Sequence, residues 1–240
     1  MKIAVITPYH KESTEFLRQC HQSVLNQSVY SDHFFVADGC PNEELIRWNI
    51  RHVSLPQAHA DFGDTPRGIG GMLADVEGYD FIAYLDADNW FHPNHLASLL
   101  SLREETKADV CTSFRTFHTP DGTEMPIFDF DEKSLDHVDT SCYLLHRNSF
   151  DVLDVWLRIP KPLHAVGDRV FLAGLKNKNH RFSSTKQKTV AYRTRYNAHY
   201  LAANMQPPPD AKDSEAKEAY AWLSTTAGMK ETAGKLGFLP

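Results

Sequence analysis

Residues 81–89 of the chain read FIAYLDADN and place two aspartates directly after an apolar run. An apolar run without alternation is typical of a strand that is covered on both faces of a parallel sheet. Asp86 and Asp88 share a face of the extended chain, with their side chains about 6.5–7 Å apart at the base. At the end of a strand, this pair predicts a site for a divalent cation that keeps open positions for phosphate oxygens. The alternative is that one of the two aspartates caps the helix predicted to begin after Pro93.

The residues before this stretch alternate short strands with helices. Strands are expected at 2–7, 33–37 and 50–55, and helices after the capping residue Ser13, at 42–48 and from Pro66 onward. Strands separated by helices require crossover connections, which predict an α/β fold with a mostly parallel central sheet flanked by helices. In such a sheet, ligands bind beyond the carboxyl ends of the strands. The candidate binding residues therefore end the strands: Thr7, Pro8, Tyr9 and His10, Asp38 and Gly39, Pro56 onward, and Asp86 with Asp88.

The second half of the chain is less regular. Helices are expected at 95–102, 150–157 and 168–175, strands at 109–117 and 141–145, and a hairpin-type turn at 120–122. Three consecutive prolines at 207–209 precede an amphipathic helical tail over about 211–235. The expected organisation is one domain over residues 1–205, followed by a proline-rich break and helical tail over 206–240. The tail is expected to pack back on the domain or to pair with a second chain in a homodimer.

The composition excludes several classes of protein. The chain has 240 residues, with 25 Lys and Arg against 31 Asp and Glu, and a formal net charge of −6. This acidic balance argues against a nucleic-acid-binding protein, which would show a basic patch or stripe. No apolar run approaches the roughly 18 residues of a membrane-spanning helix, and the run at residues 3–6 is too short for a signal peptide. Dispersed cysteines without a C-x-x-C pair favour reduced thiols, so a cytoplasmic protein is expected.

Several motifs, mostly in the first half of the chain, resemble those of family 2 glycosyltransferases. They occur in order as IAVITPYH at 3–10, FLRQCHQSVLNQS at 16–28, FVADGC at 35–40 and FIAYLDADNWFHP at 81–93. The resemblance covers residues 2–100 strongly and 138–200 loosely. It implies the GT-A fold of nucleotide-sugar transferases, with a Rossmann-like nucleotide-binding half over 1–100 and an acceptor half over 101–205.

The resemblance implies a set of donor-binding residues. Thr7, Pro8 and Tyr9 would line the nucleoside of a nucleotide diphosphate-sugar, and Asp38 would accept a hydrogen bond from the base. Family members usually carry two aspartates before the glycine of this motif, whereas this chain has a single one. Arg67 opens the sequence RGIG, which looks like the family's Arg-Asn-x-Gly helix start and would lie near the nucleotide.

The diphosphate and its metal ion are assigned in the same way. Asp86 and Asp88 look like the family's D-x-D motif, which would hold Mn²⁺ or Mg²⁺ as the cofactor. The sequence YRTRYNAH at 192–199 lies where related transferases carry a loop that closes over the diphosphate. The resemblance therefore suggests His199 as a further metal ligand and Arg193 and Arg195 as phosphate contacts. Most of the 13 histidines are expected to serve packing or surface roles.

A catalytic base is implied by the sequence GDRVFL at 167–172. It resembles the Glu-Asp pair that opens a helix in the family, with Gly167 where the glutamate is usual. Asp168 would take the proton of an acceptor hydroxyl as that hydroxyl attacks the anomeric carbon, which gives inversion. The alternative is a structural role for Asp168 as a helix cap or as the ion-pair partner of Arg169.

The function expected from these motifs is a metal-dependent, inverting glycosyltransferase acting on a UDP- or GDP-type donor. One alternative is a non-catalytic nucleotide-sugar-binding protein, supported by the non-acidic residues Ala37 and Gly167 at positions where acids are usual. A sugar nucleotidyltransferase is disfavoured because residues 7–10 contain no glycine. A dinucleotide oxidoreductase is disfavoured because GIGG at 68–71 lacks the G-x-G-x-x-G spacing after a first strand.

Overall fold

The computed structural model describes residues 1–127 and 136–240. Within these residues, a nine-stranded mixed sheet is flanked by helices. The strands are β1 (Ile3–Tyr9), β2 (Asp32–Ala37), β3 (Arg51–Ser54), β4 (Phe81–Tyr84), β5 (Trp90–Phe91), β6 (Val110–His118), β7 (Glu124–Met125), β8 (Tyr143–His146) and β9 (Phe182–Arg193). The α-helices are α1 (Thr14–Leu25), α2 (Asp64–Val76), α3 (His95–Thr106), α4 (Val155–Arg158), α5 (Gly167–Asn177), α6 (Asn197–Ala202), α7 (Ala216–Leu223) and α8 (Thr226–Leu236). Short 3-10 helices cover Glu43–Arg47, Thr140–Cys142, Arg147–Val152 and Lys161–Val166.

The sheet has the strand order β3-β2-β1-β4-β8-β6-β9-β5, and β7 pairs with β6. Strands β1 to β4 pair in parallel, and β6 and β9 are also parallel. Strand β8 is antiparallel to both β4 and β6, and β5 is antiparallel to β9. The prediction of an α/β fold with a central sheet flanked by helices is confirmed. The parallel pairing is concentrated in the first half, so the sheet as a whole is mixed.

The parallel strands bring three chain segments to one edge of the sheet. Tyr9, the last residue of β1, is the register partner of Ala37, the last residue of β2. Strand β4 pairs with β1 on the other side and ends at Tyr84, just before Asp86. Every residue of β1 and β4 is buried, as expected for strands covered by helices on both faces. The residues that follow these strands therefore share one edge.

Several regions differ from the sequence-based expectation, among them the segment expected as a helix at 42–48, which is a 3-10 helix over Glu43–Arg47. The strand β9, which forms the parallel partner of β6, was not predicted. The helix expected over 150–157 is a 3-10 helix over Arg147–Val152 followed by the short helix α4. The tail is two helices rather than one, and its Ala219 and Leu236 are buried in the main hydrophobic core. In the part of the chain that the structure describes, no helix is long and apolar enough to cross a membrane.

Two histidines of the first half lie in the core rather than at a site. His21 Nδ1 lies 3.0 Å from His33 Nδ1, and His33 Nε2 lies 2.8 Å from the hydroxyl of Thr7. The His21 ring also stacks on Trp48, with 5.3 Å between the ring centroids. Burial lowers the pKa of both histidines, so the pair is neutral and hydrogen-bonded at physiological pH. A structural role fits these two histidines.

Helix α2 contacts the sheet through a glycine, and this contact gives a stability prediction. A Cβ at Gly70 would lie 2.5 Å from Ile6 Cγ2 and 3.0 Å from Val36 Cγ2. We therefore expect Gly70→Ala to destabilise the protein by about 1–3 kcal/mol, the usual cost of overpacking a core. The matched control is Gly234→Ala in α8, where no atom lies within 4 Å of the added Cβ. This control should stabilise by about 0.5–1 kcal/mol through helix propensity. Urea unfolding measures both, and equal effects of the two substitutions would contradict the packing argument.

Candidate active site

A cavity of about 400 Å³ lies at the carboxyl edge of the parallel strands. It is bounded by the segments that follow β1, β2 and β4, by the start of α2, and by the end of β9. A cavity at this edge of an open α/β sheet is the usual place for a ligand. Of the residues singled out in the sequence, the following line it: Pro8, Tyr9, His10, Asp38, Arg67, Asp86, Asp88, Arg193 and Arg195.

The first aspartate of the D-x-D motif belongs to a chain of buried charges. Arg67 Nη2 donates to Asp86 Oδ1 at 2.5 Å, and Arg67 Nη1 lies 3.6 Å from Asp64 Oδ1. On its far side, Asp64 Oδ2 lies 2.8 Å from His164 Nδ1. Burial raises the pKa of Asp64 to about 6, although His164 and Arg67 oppose the shift. Helix α2 thus carries the arginine that fixes Asp86 at the floor of the cavity.

The second aspartate of the motif is held differently. Burial and, after it, the charge of Asp86 raise the pKa of Asp88 to about 7. Among the described residues, no arginine, lysine or histidine forms an ion pair with the Asp88 carboxylate. Two neighbouring carboxylates at the edge of a cavity, one of which raises the pKa of the other, are suited to a hard divalent cation that takes its remaining ligands from phosphate and water. Within residues 1–127 and 136–240, no group of three or more His, Cys, Asp or Glu is arranged to hold a metal ion.

The carboxylate of Asp38 is engaged with a neighbouring loop. It accepts hydrogen bonds from the amides of His59 and Ala60, and its Oδ1 lies 2.7 Å from His59 Nδ1. The backbone oxygen of Asp38 lies 2.7 Å from His10 Nδ1. Asp38 therefore fixes the 59–60 loop at the wall of the cavity. A contact between Asp38 and a nucleobase stays a prediction.

Arg193 lines the cavity but already has protein partners for all its guanidinium nitrogens. Nε donates to the Pro120 carbonyl at 3.1 Å, Nη2 donates to Gln19 Oε1 at 2.5 Å, and Nη1 donates to the backbone carbonyl of Asp88. The guanidinium also stacks between the rings of Phe16 and Trp90, at 4.3 and 4.6 Å from their centroids. These contacts favour a role in bracing the D-x-D motif. The phosphate contact assigned to Arg193 stays a prediction. Arg195 is half-exposed, and among the ion pairs of the described chain its only partner is Asp210, at 3.0 Å. Its phosphate contact also stays a prediction.

Two of the predicted site residues lie outside the cavity lining. Thr7 is fully buried, and its hydroxyl contacts His33. His199 Nδ1 lies 2.6 Å from Thr194 Oγ1, and its ring packs edge-on against Phe117 and Tyr196. The structure does not bring His199 together with the two aspartates into a group of metal ligands. The donor role of Thr7 and the metal role of His199 stay predictions.

Asp168 also lies outside the lining but next to the buried charges. It is the second residue of α5, and its Oδ2 lies 2.6 Å from His137 Nε2 while its Oδ1 accepts from the amide of Arg169. Burial opposes ionisation, yet the hydrogen bond and charge of His137 hold the pKa of Asp168 below its usual value. Its negative charge in turn helps to raise the pKa of Asp86. Asp168 is therefore an ionised carboxylate close to the D-x-D motif.

The glycine before Asp168 has a steric explanation. A Cβ at Gly167 would lie 2.6 Å from Asp64 Oδ1. The space that a side chain at position 167 would need is filled by the carboxylate of Asp64. The sequence has no glutamate before Asp168, and the carboxylate of Asp64, from α2, lies beside Gly167 instead.

Sequence reasoning missed several residues of the lining, among them Glu12, Tyr196 and Lys212. Lys212 belongs to the segment after the prolines, where its amide donates to the Arg195 carbonyl and its ammonium lies 4.9 Å from the centre of the Tyr196 ring. A lone lysine in a polar segment gives no sequence signal, because its position depends on how the tail folds back. The segment following the prolines therefore adds a cation to the wall of the cavity.

The model of glycosyl transferase family 2 matches residues 4–140 of the chain. No curated protein matches the sequence. Among solved structures, S. aureus TarS 1–349 in complex with UDP is similar, with 16% identity, a TM-score of 0.62, and coverage of 81% of this chain and 61% of TarS 1–349. The complex of TarS 1–349 with UDP-GlcNAc has 16% identity, a TM-score of 0.63, and coverage of 85% and 61%. A longer structure of S. aureus TarS has 16% identity, a TM-score of 0.63, and coverage of 84% of this chain and 38% of that chain.

At such low identity, the likeness to TarS concerns the fold. It confirms the GT-A type of fold that the sequence motifs imply. The chain spans 61% of the length of TarS 1–349, so it is similar to only part of those molecules.

Proposed function

Because the chain belongs to glycosyl transferase family 2, we propose that it transfers a sugar from a nucleotide diphosphate-sugar to a hydroxyl acceptor. The donor is of the UDP or GDP type, the reaction depends on Mn²⁺ or Mg²⁺, and the anomeric configuration is inverted. The observation that carries this proposal is the convergence of Asp38, Arg67, Asp86 and Asp88 on one cavity at the carboxyl edge of the sheet. The TarS complexes with UDP and UDP-GlcNAc support a uridine nucleotide as the first probe.

The donor would lie along the cavity from Asp38 to the D-x-D motif. Tyr9 is held rigidly for such a role, because its hydroxyl accepts from the Asn42 amide and lies 2.7 Å from His52 Nε2. Arg195 and Lys212 supply positive charge at the wall of the cavity, where an anionic diphosphate needs it. A protein with an overall negative charge can bind an anionic donor in this way, through a few cations and a metal ion.

The residues fit a divalent cation that is shared with the diphosphate. Asp86 and Asp88 would hold it through their carboxylate oxygens, which are the ligands that hard divalent cations prefer. When bound, the cation would stabilise the negative charge that develops on the departing diphosphate. Arg67 keeps Asp86 in one orientation, and Arg193 holds the backbone at Asp88.

Asp168 would serve as the general base for the acceptor. The acceptor oxygen forms a bond to the anomeric carbon, the bond from that carbon to the diphosphate oxygen breaks, and the acceptor proton passes to Asp168. Attack on the side opposite to the leaving diphosphate inverts the anomeric centre. The low pKa of Asp168 keeps it ionised near neutral pH, and His137 orients its carboxylate. A positioned base contributes about 10²–10⁴ in rate.

Thermal unfolding in the presence of nucleotides tests the proposed function. We expect UDP, UDP-N-acetylglucosamine, GDP or GDP-mannose to stabilise the protein only when Mn²⁺ is present. A ligand at 100 times its Kd stabilises by about 2.7 kcal/mol, which corresponds to a rise in Tm of about 5–10 °C for a chain of this size. Failure of every nucleotide to shift the Tm with Mn²⁺ would overturn the proposal. Slow Mn²⁺-dependent release of nucleotide from the donor would distinguish an enzyme from a binding protein of the same fold.

A further inference from the structure

We propose that Asp61 recognises the donor sugar by accepting a hydrogen bond from one of its hydroxyl groups. This inference rests on the proposed function, because it assigns the sugar-selecting residue of the same cavity. Asp61 lies in the loop between β3 and α2 and lines the cavity.

The two oxygens of Asp61 differ in their partners. The residue is 4% exposed, and its Oδ2 accepts from the amide of Thr65 at 3.0 Å and from the Thr65 hydroxyl at 2.5 Å. The other oxygen, Oδ1, is buried and accepts no hydrogen bond from any residue that the structure describes. Buried carboxylate oxygens without a donor are rare, since the loss of water is then uncompensated. A donor group is therefore missing at the wall of the cavity.

A matching nitrogen lies on Arg67, another residue of the same lining. Arg67 is 7% exposed; its Nη1 donates to the Phe62 carbonyl at 2.8 Å and its Nη2 to Asp86, but its Nε is buried without an acceptor. Two residues of the lining thus each carry one buried polar atom, an acceptor on Asp61 and a donor on Arg67, that no described residue satisfies. A hydroxyl both donates and accepts hydrogen bonds. A ligand rich in hydroxyls, such as a sugar, therefore complements this pair better than a purely anionic or apolar ligand.

The loop holds Asp61 in a single, costly conformation. Ala60 and Phe62, on either side of it, have φ angles of 53° and 59°, in the left-handed region that non-glycine residues avoid. The hydrogen bond from the Ala60 amide to Asp38 and the one from Arg67 to the Phe62 carbonyl hold these residues in place. The two residues that fix the loop are the same ones expected to contact the donor nucleotide. Asp61 is therefore oriented before any ligand binds.

Asp61 also lies toward the reacting end of the cavity. Its backbone carbonyl accepts a hydrogen bond from the Asp64 amide at 3.2 Å, so the two residues are close. Asp64 in turn fills the space beside Gly167, next to the candidate base Asp168. A group that contacts Asp61 is thus near the base and the D-x-D motif, where the sugar of a nucleotide-sugar must lie if it is to react. This position fits the sugar rather than the nucleobase.

The test is Asp61→Asn, which changes one oxygen to an amide nitrogen at constant volume. The two donors of Thr65 would hold the remaining oxygen, so the amide nitrogen would face the cavity as a donor. We expect the Kd for UDP-N-acetylglucosamine, UDP-glucose or GDP-mannose, whichever the wild type binds, to rise about 10- to 100-fold, as for the loss of a charge-assisted hydrogen bond. The Kd for UDP or GDP alone should change less than about twofold, because these ligands lack the sugar. Calorimetry with Mn²⁺ measures both constants.

The control is Asp75→Asn, the same chemical change at an exposed position of α2, which should alter neither constant. Asp61→Ala should reproduce the selective loss without adding a donor. Equal weakening of sugar-containing and sugar-free nucleotides, or no weakening of either, would overturn the inference while the proposed function stands. Binding of no nucleotide by the wild-type protein would overturn both. Unchanged binding of the free nucleotide also shows that the Asn variant is folded.

Discussion

Replacing Asp88 with asparagine is expected to abolish the Mn²⁺-dependent binding of UDP or GDP and to lower the rate of sugar transfer at least about 10³-fold. Burial and, after it, the charge of Asp86 raise the pKa of Asp88 to about 7, and Asp88 forms no ion pair among the described residues. The amide has the same volume but no charge, so a divalent cation loses one of its two protein ligands. A metal ion contributes several kcal/mol of charge stabilisation to a departing diphosphate, and each 1.36 kcal/mol is a factor of about ten in rate.

Asp151→Asn provides the control for this prediction. Asp151 is a half-exposed aspartate that pairs with His180 and Lys178 and does not line the cavity. The Asp151→Asn variant should bind the nucleotide with the wild-type Kd at each concentration of Mn²⁺. Calorimetric titration of nucleotide with and without Mn²⁺ gives the comparison. Wild-type, metal-dependent affinity in the Asp88 variant would exclude this carboxylate as a metal ligand.

The nucleotide-binding half could be predicted from the sequence because its signals are local. The apolar runs of β1 and β4 mark buried strands, and Ser13 caps α1 by accepting a hydrogen bond from the Phe16 amide. Parallel pairing of such strands brings their ends to one edge without any further information. The grouping of Asp38, Asp86 and Asp88 around one cavity follows from these two facts.

The strand β9 could not be predicted because its residues do not follow the strand pattern. Its first half is polar and partly exposed, and Lys186 has a φ of 56°, which interrupts the extended chain. The pairing of β9 with β6 shifts register between Thr112 and Phe114 and again before Arg115. Such a strand is specified by its partner rather than by its own alternation of polar and apolar residues. Arg193 could therefore be selected from its sequence motif, but its location at the end of β9 could not be predicted.

The side-chain partners of the site residues also could not be predicted from the sequence. The stacking of Arg193 between Phe16 and Trp90 joins positions far apart in the chain. The contact of His137 with Asp168 likewise depends on how the second half folds over the sheet. Sequence reasoning assigned Arg193 a phosphate and offered Asp168 only its neighbour Arg169 as a partner, because motif spacing carries no information on side-chain contacts. The structure adds the groups that orient the candidate site.

Replacing Asp168 with asparagine is expected to slow sugar transfer by about 10²–10⁴-fold, the usual contribution of a general base, while the donor Kd changes less than about twofold. The two effects separate because Asp168 does not line the donor cavity. The pH dependence has a definite sign. His137 and the Arg169 amide hold the pKa of Asp168 below its usual value against the effect of burial, so the base is ionised at neutral pH and stays so as the pH falls toward 5. The rate of transfer by the wild type should therefore not fall through protonation of Asp168 as the pH is lowered from neutral toward 5.

Single-turnover transfer from a bound donor is the appropriate measurement, because it isolates the chemical step from product release. The control is Asp154→Asn, which changes a half-exposed aspartate that pairs only with Arg158 among the ion pairs of the described chain; it should transfer at the wild-type rate. A general base removed by substitution leaves donor binding intact and slows the step itself, whereas a structural hydrogen bond removed by substitution lowers the free energy of unfolding by about 0.5–1.5 kcal/mol. An Asp168→Asn variant that unfolds more easily but transfers at the wild-type rate would therefore assign Asp168 a structural role in the first turn of α5 and leave the acceptor proton to another group.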